Sequence, residues 1–342
     1  MRSPVADADR YNAHVTTDQS FGADDTRTQT PRDAAQLRVA AEVLVHIPIM
    51  VREVLDCLRP QPGDFVVDCT LGSGGHARHL LAAVAPGGHL LGLDLDDVER
   101  SRTEARMRLD GFDETVFTSQ HASFASLTDV LASPRAPRAN VILADLGVSA
   151  MQFDEPARGF SYKVVGPLDM RMNANAGPTA AALIAAVSEG DLATLLREHS
   201  DEPHAEIIAR ILKSTPSHTT HGTERHIRLA LQAAMPDAGK SAIKMSIRRT
   251  FQALRIAVND EFRALDALLA SLPECLAPGG RVAVLTFHSG EDRRVKKAFQ
   301  AGCRAGVYSA IAERVIRSQK AETFANRRAS AAKLRWAVRA NA

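Results

Sequence analysis

The 342 residues carry 42 Lys and Arg against 40 Asp and Glu, and 45% of them are hydrophobic. That balance is the one expected of a globular chain with a buried core, not of a disordered or fibrous one. No apolar run approaches the roughly 18 residues of a membrane span, and the first residues lack the apolar stretch of a secretory signal.

Residues 1–40 read as a disordered tail. They hold Asp7, Asp9, Asp18, Asp24, Asp25 and Asp33, which argues against an acid-poor organelle transit peptide. Cys57, Cys69, Cys275 and Cys303 are scattered and form no CxxC pair, which suits a reducing cytoplasm and gives no case for a zinc site. His46 to Leu58 predicts a lead-in segment and a helix stopping before Pro60.

The chain then alternates: strand 65–68, helix 76–84, strand 89–94, helix 97–109, strand 115–120 and strand 141–145. The rhythm predicts a parallel sheet with helices on both faces, a Rossmann-like α/β fold. Ligands bind such sheets beyond the carboxyl ends of the strands, where Asp68, Asp94 and Asp145 fall. Between the first strand and its helix lies Gly72-Ser-Gly-Gly-His76, whose glycines would let a nucleotide-like ligand approach bare backbone. Asp94, about twenty residues on, is where a carboxylate accepts hydrogen bonds from ribose hydroxyls. In the dinucleotide fingerprint G-x-G-x-x-G the third glycine packs helix on strand; here that position is Ala77. The loop looks more like one for S-adenosylmethionine, which has no pyrophosphate.

From 154 to 249 no convincing strand is found, and helices are predicted over 189–198, from Pro203 through Ile211, and over 222–234. Phe251, Leu254, Val258, Phe262, Leu265 and Leu269 recur at spacings of three and four, predicting one long helix over 250–271. Pro278-Gly279-Gly280 turns the chain into a strand over 281–288, ending at His288, and a basic helix follows over 291–300. Residues 293–342 hold 13 Lys and Arg against Glu313 and Glu322, a balance of +11, so the rest of the chain sums to −9. Such an end reads either as a footprint for a polyanion or as a solvated surface; beyond 300 it is expected to be an irregular tail.

Several of these motifs, taken together, resemble the RsmH (MraW) family, bacterial 16S ribosomal RNA cytosine-N4 methyltransferases that use S-adenosyl-L-methionine. The resemblance runs from about His46 to Arg335 and is carried by His46-Ile-Pro-Ile-Met50, Gly72 to His76, Asp145-Leu-Gly-Val-Ser149 and Gln152-Phe-Asp154. Arg158-Gly-Phe-Ser-Tyr162, Gly166 to Met172, Thr250 to Asn259, Phe287-His-Ser289 and Lys333-Leu-Arg335 continue it. It implies a methyltransferase sheet over 41–153 and 250–300, interrupted by a helical substrate-recognition part over 154–249 and followed by a basic segment over 301–342. It implies cofactor contacts at Gly74, Gly75, His76, Asp94, Phe124, Asp145 and Gln152, and catalytic roles for Asp145 and His288, with no metal. The implied partner is small-subunit ribosomal RNA within a ribosomal particle, and a homo-oligomer is left open.

The chain departs from the family pattern at four places. Met245-Ser-Ile-Arg-Arg-Thr-Phe-Gln252 stands for H-P-A-x-[RK]-T-F-Q, and Gly290 for a leucine after F-H-S. His199-Ser-Asp-Glu202 stands for Y-G-E-E, and Asn326-Arg327-Arg328 for N-P-R. These fall on the expected RNA side. Other readings stay open: Asp145 bonding only strand-end backbone, His288 as a structural residue, and Asp169 with Arg171 as an internal ion pair or a substrate contact. Arg255 reads either as facing RNA or as a plain surface arginine, and the surface is the expectation.

Overall fold

The computed structural model describes residues 48–132 and 137–341. The tail expected over 1–40, the first two residues of the lead-in segment and most of the Pro- and Arg-rich loop before the fourth strand lie outside the described residues. In chain order the elements are α1 (Val51–Leu58), β1 (Phe65–Asp68), α2 (Gly75–Val84), β2 (His89–Asp94), α3 (Asp97–Leu109), β3 (Phe117–His121), α4 (Leu127–Val130), β4 (Ala139–Asp145) and α5 (Ala150–Asp154). Then come α6 (Ala180–Ala186), α7 (Glu189–Ser200), α8 (Ala205–Ser214), α9 (Thr220–Ala234), α10 (Lys240–Asn259), α11 (Glu261–Cys275), β5 (Leu276–Thr286), α12 (Ser289–Arg304), β6 (Tyr308–Ile311), α13 (Lys320–Ala325) and β7 (Lys333–Arg339).

The seven strands form one sheet in the order β3-β2-β1-β4-β5-β7-β6. Strand residues alternate between two cores because both faces are covered. Val66, Leu143, Ala283 and Leu285 face a cluster that includes α1 and α2. Val67, Ile142, Val282 and Val284 face one built with α11 and α12. The order reverses between β1 and β4, which opens a crevice at their carboxyl ends.

Three expectations need correcting. The sheet is mixed, not parallel: β7 runs antiparallel to both β5 and β6. The irregular basic tail is instead an edge of the sheet, β6 and β7. The long helix breaks at Asp260, which takes a left-handed φ of 50°. That conformation is tolerable for Asp, and the break leaves the apolar spacing almost in phase. Asn259, the last residue of α10, donates from Nδ2 to the carbonyl of Met170 at 2.8 Å and accepts from the amide of Met172 at 2.7 Å. The helix stops where its side chain turns to hold that loop. In addition, Pro278-Gly279-Gly280 lies inside β5 as a bulge, with Ala139 opposite Leu276 but Val141 opposite Arg281.

Between β4 and β5 the described residues form helices around a core of their own, with Leu192, Leu196, Ile208, Ile227, Ile247 and Leu254 buried. β7 is fixed by a nearly buried ion pair, Arg335 Nε to Asp292 Oδ1 at 2.6 Å. Asp292→Ala would leave the Arg335 guanidinium, 7% exposed, without its counter-charge. It should cost about 3 kcal/mol, read as a lowered urea midpoint; an unchanged midpoint would show that β7 is held by its apolar residues alone.

Candidate active site

The glycine loop is pinched from both sides. Gly74 has φ 78°, and a Cβ there would lie 2.9 Å from Thr103 Cγ2 on α3; at Gly75 it would lie 3.0 Å from Pro48 Cβ. Thr103 Oγ1 donates to the carbonyl of Gly72 at 2.5 Å. The Gly72 amide donates to Asp94 Oδ2, and the Asp96 amide to Asp94 Oδ1, both at 2.8 Å. Asp94, expected to meet a ribose, therefore also shapes the loop, and each of its oxygens keeps a second lone pair for a ligand hydroxyl.

β1, β2 and β4 are neighbours, so their terminal carboxylates converge. Burial pushes the Asp68 carboxyl up to about 7, against a hydrogen bond from the Thr70 amide. Burial pushes Asp94 up to about 6, against the amides of Asp96 and Gly72. Asp145 is raised to about 8 by burial and then by the charges of Asp68 and Glu291. Its side chain keeps 28% of its exposure at the cleft, yet Oδ1 is buried with no hydrogen-bond partner among the described residues. His76 stands beside it, Nε2 3.7 Å from Asp145 Oδ2.

Gln152 sits behind this group. Its amide group makes a capping box with Ser149 and donates to Asp96 Oδ2 at 2.9 Å. Arg158 Nη1 donates to the same oxygen at 2.5 Å, and its Nη2 to the carbonyls of Arg171 and Met172. Burial opposes ionisation of Asp96, but these bonds hold its carboxyl below the usual range. Asp169 and Arg171 form the internal ion pair, at 2.8 Å. Phe124 opens a short turn of helix after β3, half-buried against Leu127 and its neighbours.

His288 follows β5 as the N-cap of α12: its ring accepts from the Glu291 amide, while Glu291 Oε2 accepts from the Phe287 amide at 2.8 Å. His288 Nε2 lies 3.2 Å from Glu291 Oε1. Arg255 is not at the surface. It is 16% exposed and makes a two-pronged pair with Glu261, both contacts 2.8 Å. Ligand atoms of Glu261, His288 and Glu291 lie within 4.8 Å of one another, and the Arg255 guanidinium is the cation beside them.

Some departures from the family pattern meet each other. A Cβ at Gly290 would fall 2.6 Å from Phe262 Cζ, so a leucine there would require this ring to move. The His199 ring meets the same phenyl edge-on at 5.4 Å. Ser246 Oγ donates to Glu202 Oε1 at 2.9 Å. The basic end is also partly spent: Arg293, Arg294, Arg328, Lys333 and Arg335 pair with carboxylates.

A sheet of this order, with a glycine loop and acidic strand ends at its crevice, defines a Rossmann-like methyltransferase. A family model described as the MraW methylase family matches residues 43–340. The ribosomal RNA small subunit methyltransferase H 1 of Agathobacter rectalis is 44% identical over 301 residues, 86% of each chain. The enzyme named H 2 of Alkaliphilus metalliredigens is 44% identical over the same length and shares, and that of Syntrophotalea carbinolica 40% over 309 residues, 86% of this chain and 98% of its own. This chain belongs to the MraW methylase family. S-adenosylmethionine is its methyl donor, and the residues present fit it. The glycine turn leaves backbone bare, and the crowded carboxylates, with the partnerless Asp145 Oδ1, would be relieved by a sulfonium cation. No helix among the described residues is long and apolar enough to cross a membrane.

No local spacing gave a role to Asp96, Arg158, Glu261 or Glu291, although Arg158 heads one of the shared motifs and Glu291 follows the end of β5. The partners of Arg158 are 62 and 13–14 positions away, beyond any local spacing rule. Because the carboxyls of Asp68 and Asp145 are raised, the free fold holds protons that the unfolded chain releases, and loses stability as pH climbs from about 4 through about 8. A cationic ligand favours the ionised forms. Affinity for S-adenosylmethionine, relative to its uncharged-sulfur product S-adenosylhomocysteine, should therefore rise between about pH 6 and about pH 8.5. Calorimetry at both values checks this; a constant ratio would mean that neither carboxylate faces the sulfur.

Proposed function

We propose that this chain transfers the methyl group of S-adenosylmethionine to the exocyclic N4 amine of a cytidine in the decoding region of small-subunit (16S) ribosomal RNA, presented within a ribosomal particle in the cytoplasm. The names of its relatives support the RNA substrate. The observation that carries the chemistry is Asp145, whose Oδ1 is buried at the crevice without a hydrogen-bond partner among the described residues.

Cytosine N4 is a poor nucleophile because its lone pair is delocalised into the ring. When bound, the cofactor supplies an electrophilic methyl group on a cationic sulfur. Asp145 accepts an N–H bond from the amine as nitrogen pyramidalises and begins to carry positive charge, a contact stronger in the transition state than before it. No strong base is needed, since the amine proton becomes acidic only as transfer proceeds and then passes along that bond to the Asp145 carboxylate and on to water. On this reading Gly74, Gly75 and His76 border the donor, Asp94 its ribose and Phe124 its adenine, while Gln152 acts from behind through Asp96. His288 orients Glu291, whose charge reaches Asp145. The helices between β4 and β5 form the substrate side, and the target base is unstacked to reach the cleft, at a cost of about a few kcal/mol.

Mass mapping of small-subunit RNA with and without the gene tests the substrate: a cytidine should lose one methyl group, and an unchanged map would remove the assignment. Asp145→Asn keeps the shape but not the charge, so single-turnover methylation at saturating RNA and cofactor should fall at least about tenfold, about 1.4 kcal/mol. A wild-type rate would leave Asp145 no electrostatic role. Lys296 and Lys297, exposed on α12, have no ion pair among the described residues. If they meet phosphates, replacing both by Ala should flatten the salt dependence of RNA affinity by about one unit per lost contact; an unchanged slope would make them a solvated surface.

A further inference from the structure

A groove of about 410 Å³ lies beside the cleft, between the loop after Phe160 and the turn of helix over Arg327–Ala331. Phe153 and Asp154 form one wall, Ser161, Lys163 and Val164 another, and Arg327 and Arg328 the third. Phe153 and Asp154 end α5, whose five residues span about 7.5 Å and which begins five positions after Asp145. One wall of the groove thus stands on the helix that follows β4.

Its charge is unbalanced. Arg328 Nη2 contacts Asp154 Oδ2 at 2.6 Å, with both side chains about half exposed; such a pair is weak and open to exchange with another anion. Lys163 and Arg327 are exposed and make no ion pair among the described residues. Three cations therefore face one carboxylate, a surplus that suits an anion. Arg327 is also one of the departures from the family pattern, standing where a proline is usual.

The rim is apolar where a free surface would be polar. Phe324, on the helix that ends just before Arg327, is 92% exposed, and Val165, next to the lining Val164, is 69% exposed. Phe153 lines the groove half-buried against the helical core, whereas Phe324 is open to solvent. An accessible ring beside unpaired cations is what single-stranded nucleic acid uses, bases stacking on rings and phosphates meeting Lys and Arg. A duplex hides its base faces and would leave the rings unused.

We infer that this groove binds an unpaired nucleotide of the RNA substrate flanking the methylated one, its phosphate held by Lys163 and Arg327 and its base against Phe153 or Phe324. The inference rests on the RNA reading above and adds a second binding place to it. The groove sets affinity and register and takes no part in methyl transfer.

The test uses the full chain with two charges reversed, Lys163→Glu and Arg327→Glu, and separately with the exposed ring removed, Phe324→Ala. All three side chains are exposed, so folding is expected to survive, which S-adenosylhomocysteine affinity and the thermal midpoint check. With small-subunit RNA the doubly reversed protein should show a KM raised at least about tenfold, near-normal kcat at saturating RNA, and a salt slope flatter by about two units. Phe324→Ala should raise KM without changing that slope, and Lys163→Arg should behave as wild type. If wild type methylates the RNA and the doubly reversed protein does so with the same KM and slope, the groove is overturned and the function stands. If wild type neither binds nor methylates small-subunit RNA, both fall. If affinity drops for the ribosomal particle but not for protein-free RNA, the groove belongs to a ribosomal protein and the inference is overturned.

Discussion

Three carboxylates brought together where the strand order reverses are the constraint on which the rest of this structure depends. Asp68, Asp94 and Asp145 end adjacent strands, and backbone hydrogen bonds to Asp68 and Asp94 do not fully offset their crowding and burial, so all three carboxyls are raised. A protein can tolerate such a group if protons or a cationic ligand share the site. The surrounding elements are arranged to keep it that way: Thr103 and Pro48 hold the glycine loop closed over the strand ends, and the amide of Asp145 donates to Thr70 Oγ1 at 2.7 Å, tying β4 to the loop after β1.

A second layer of charge transmits this geometry to the helical block. Asp96, two residues beyond Asp94, receives both Gln152 and Arg158, and Arg158 in turn holds the carbonyls of Arg171 and Met172 in the loop whose Met170 carbonyl and Met172 amide bond to Asn259. The loop includes Met170, buried and with φ 65°, a conformation costly for a side chain of that size. Its surroundings over-determine it. The donor side of the crevice and the helices between β4 and β5 thus share one network of ionic and backbone bonds.

Much of the sheet was legible because β1, β2 and β4 are short apolar runs stopped by an acid. The boundaries of 65–68, 89–94 and the helix over 97–109 coincide with those observed. β7 was hidden by its own composition. In Lys333-Leu-Arg-Trp-Ala-Val-Arg339 the cations look solvated, yet Arg335 is buried against Asp292, more than forty positions away. The break at Asp260 was hidden by phase, since the apolar residues on either side still fall on one face. That break also masked the pairing of Arg255, whose partner lies six positions on, across the kink, where no helical spacing would look for it. The glycine loop, Asp94 and Asp145 were visible as a pattern; the support behind them was not, because it is made by contacts between distant segments.

The strand order has a bearing on how the chain is made. β7 follows β6 in sequence but lies between β5 and β6. While the polypeptide is emerging from a ribosome, β5 has a bare edge, and β6 has nothing to pair with, until residues 333–339 arrive. Unpaired edges of this kind invite intermolecular association. The nascent protein therefore passes through a stage, lasting for the synthesis of some fifty residues after β5, in which its sheet is unfinished. A chaperone holding that edge would act at the one moment when the fold cannot protect it.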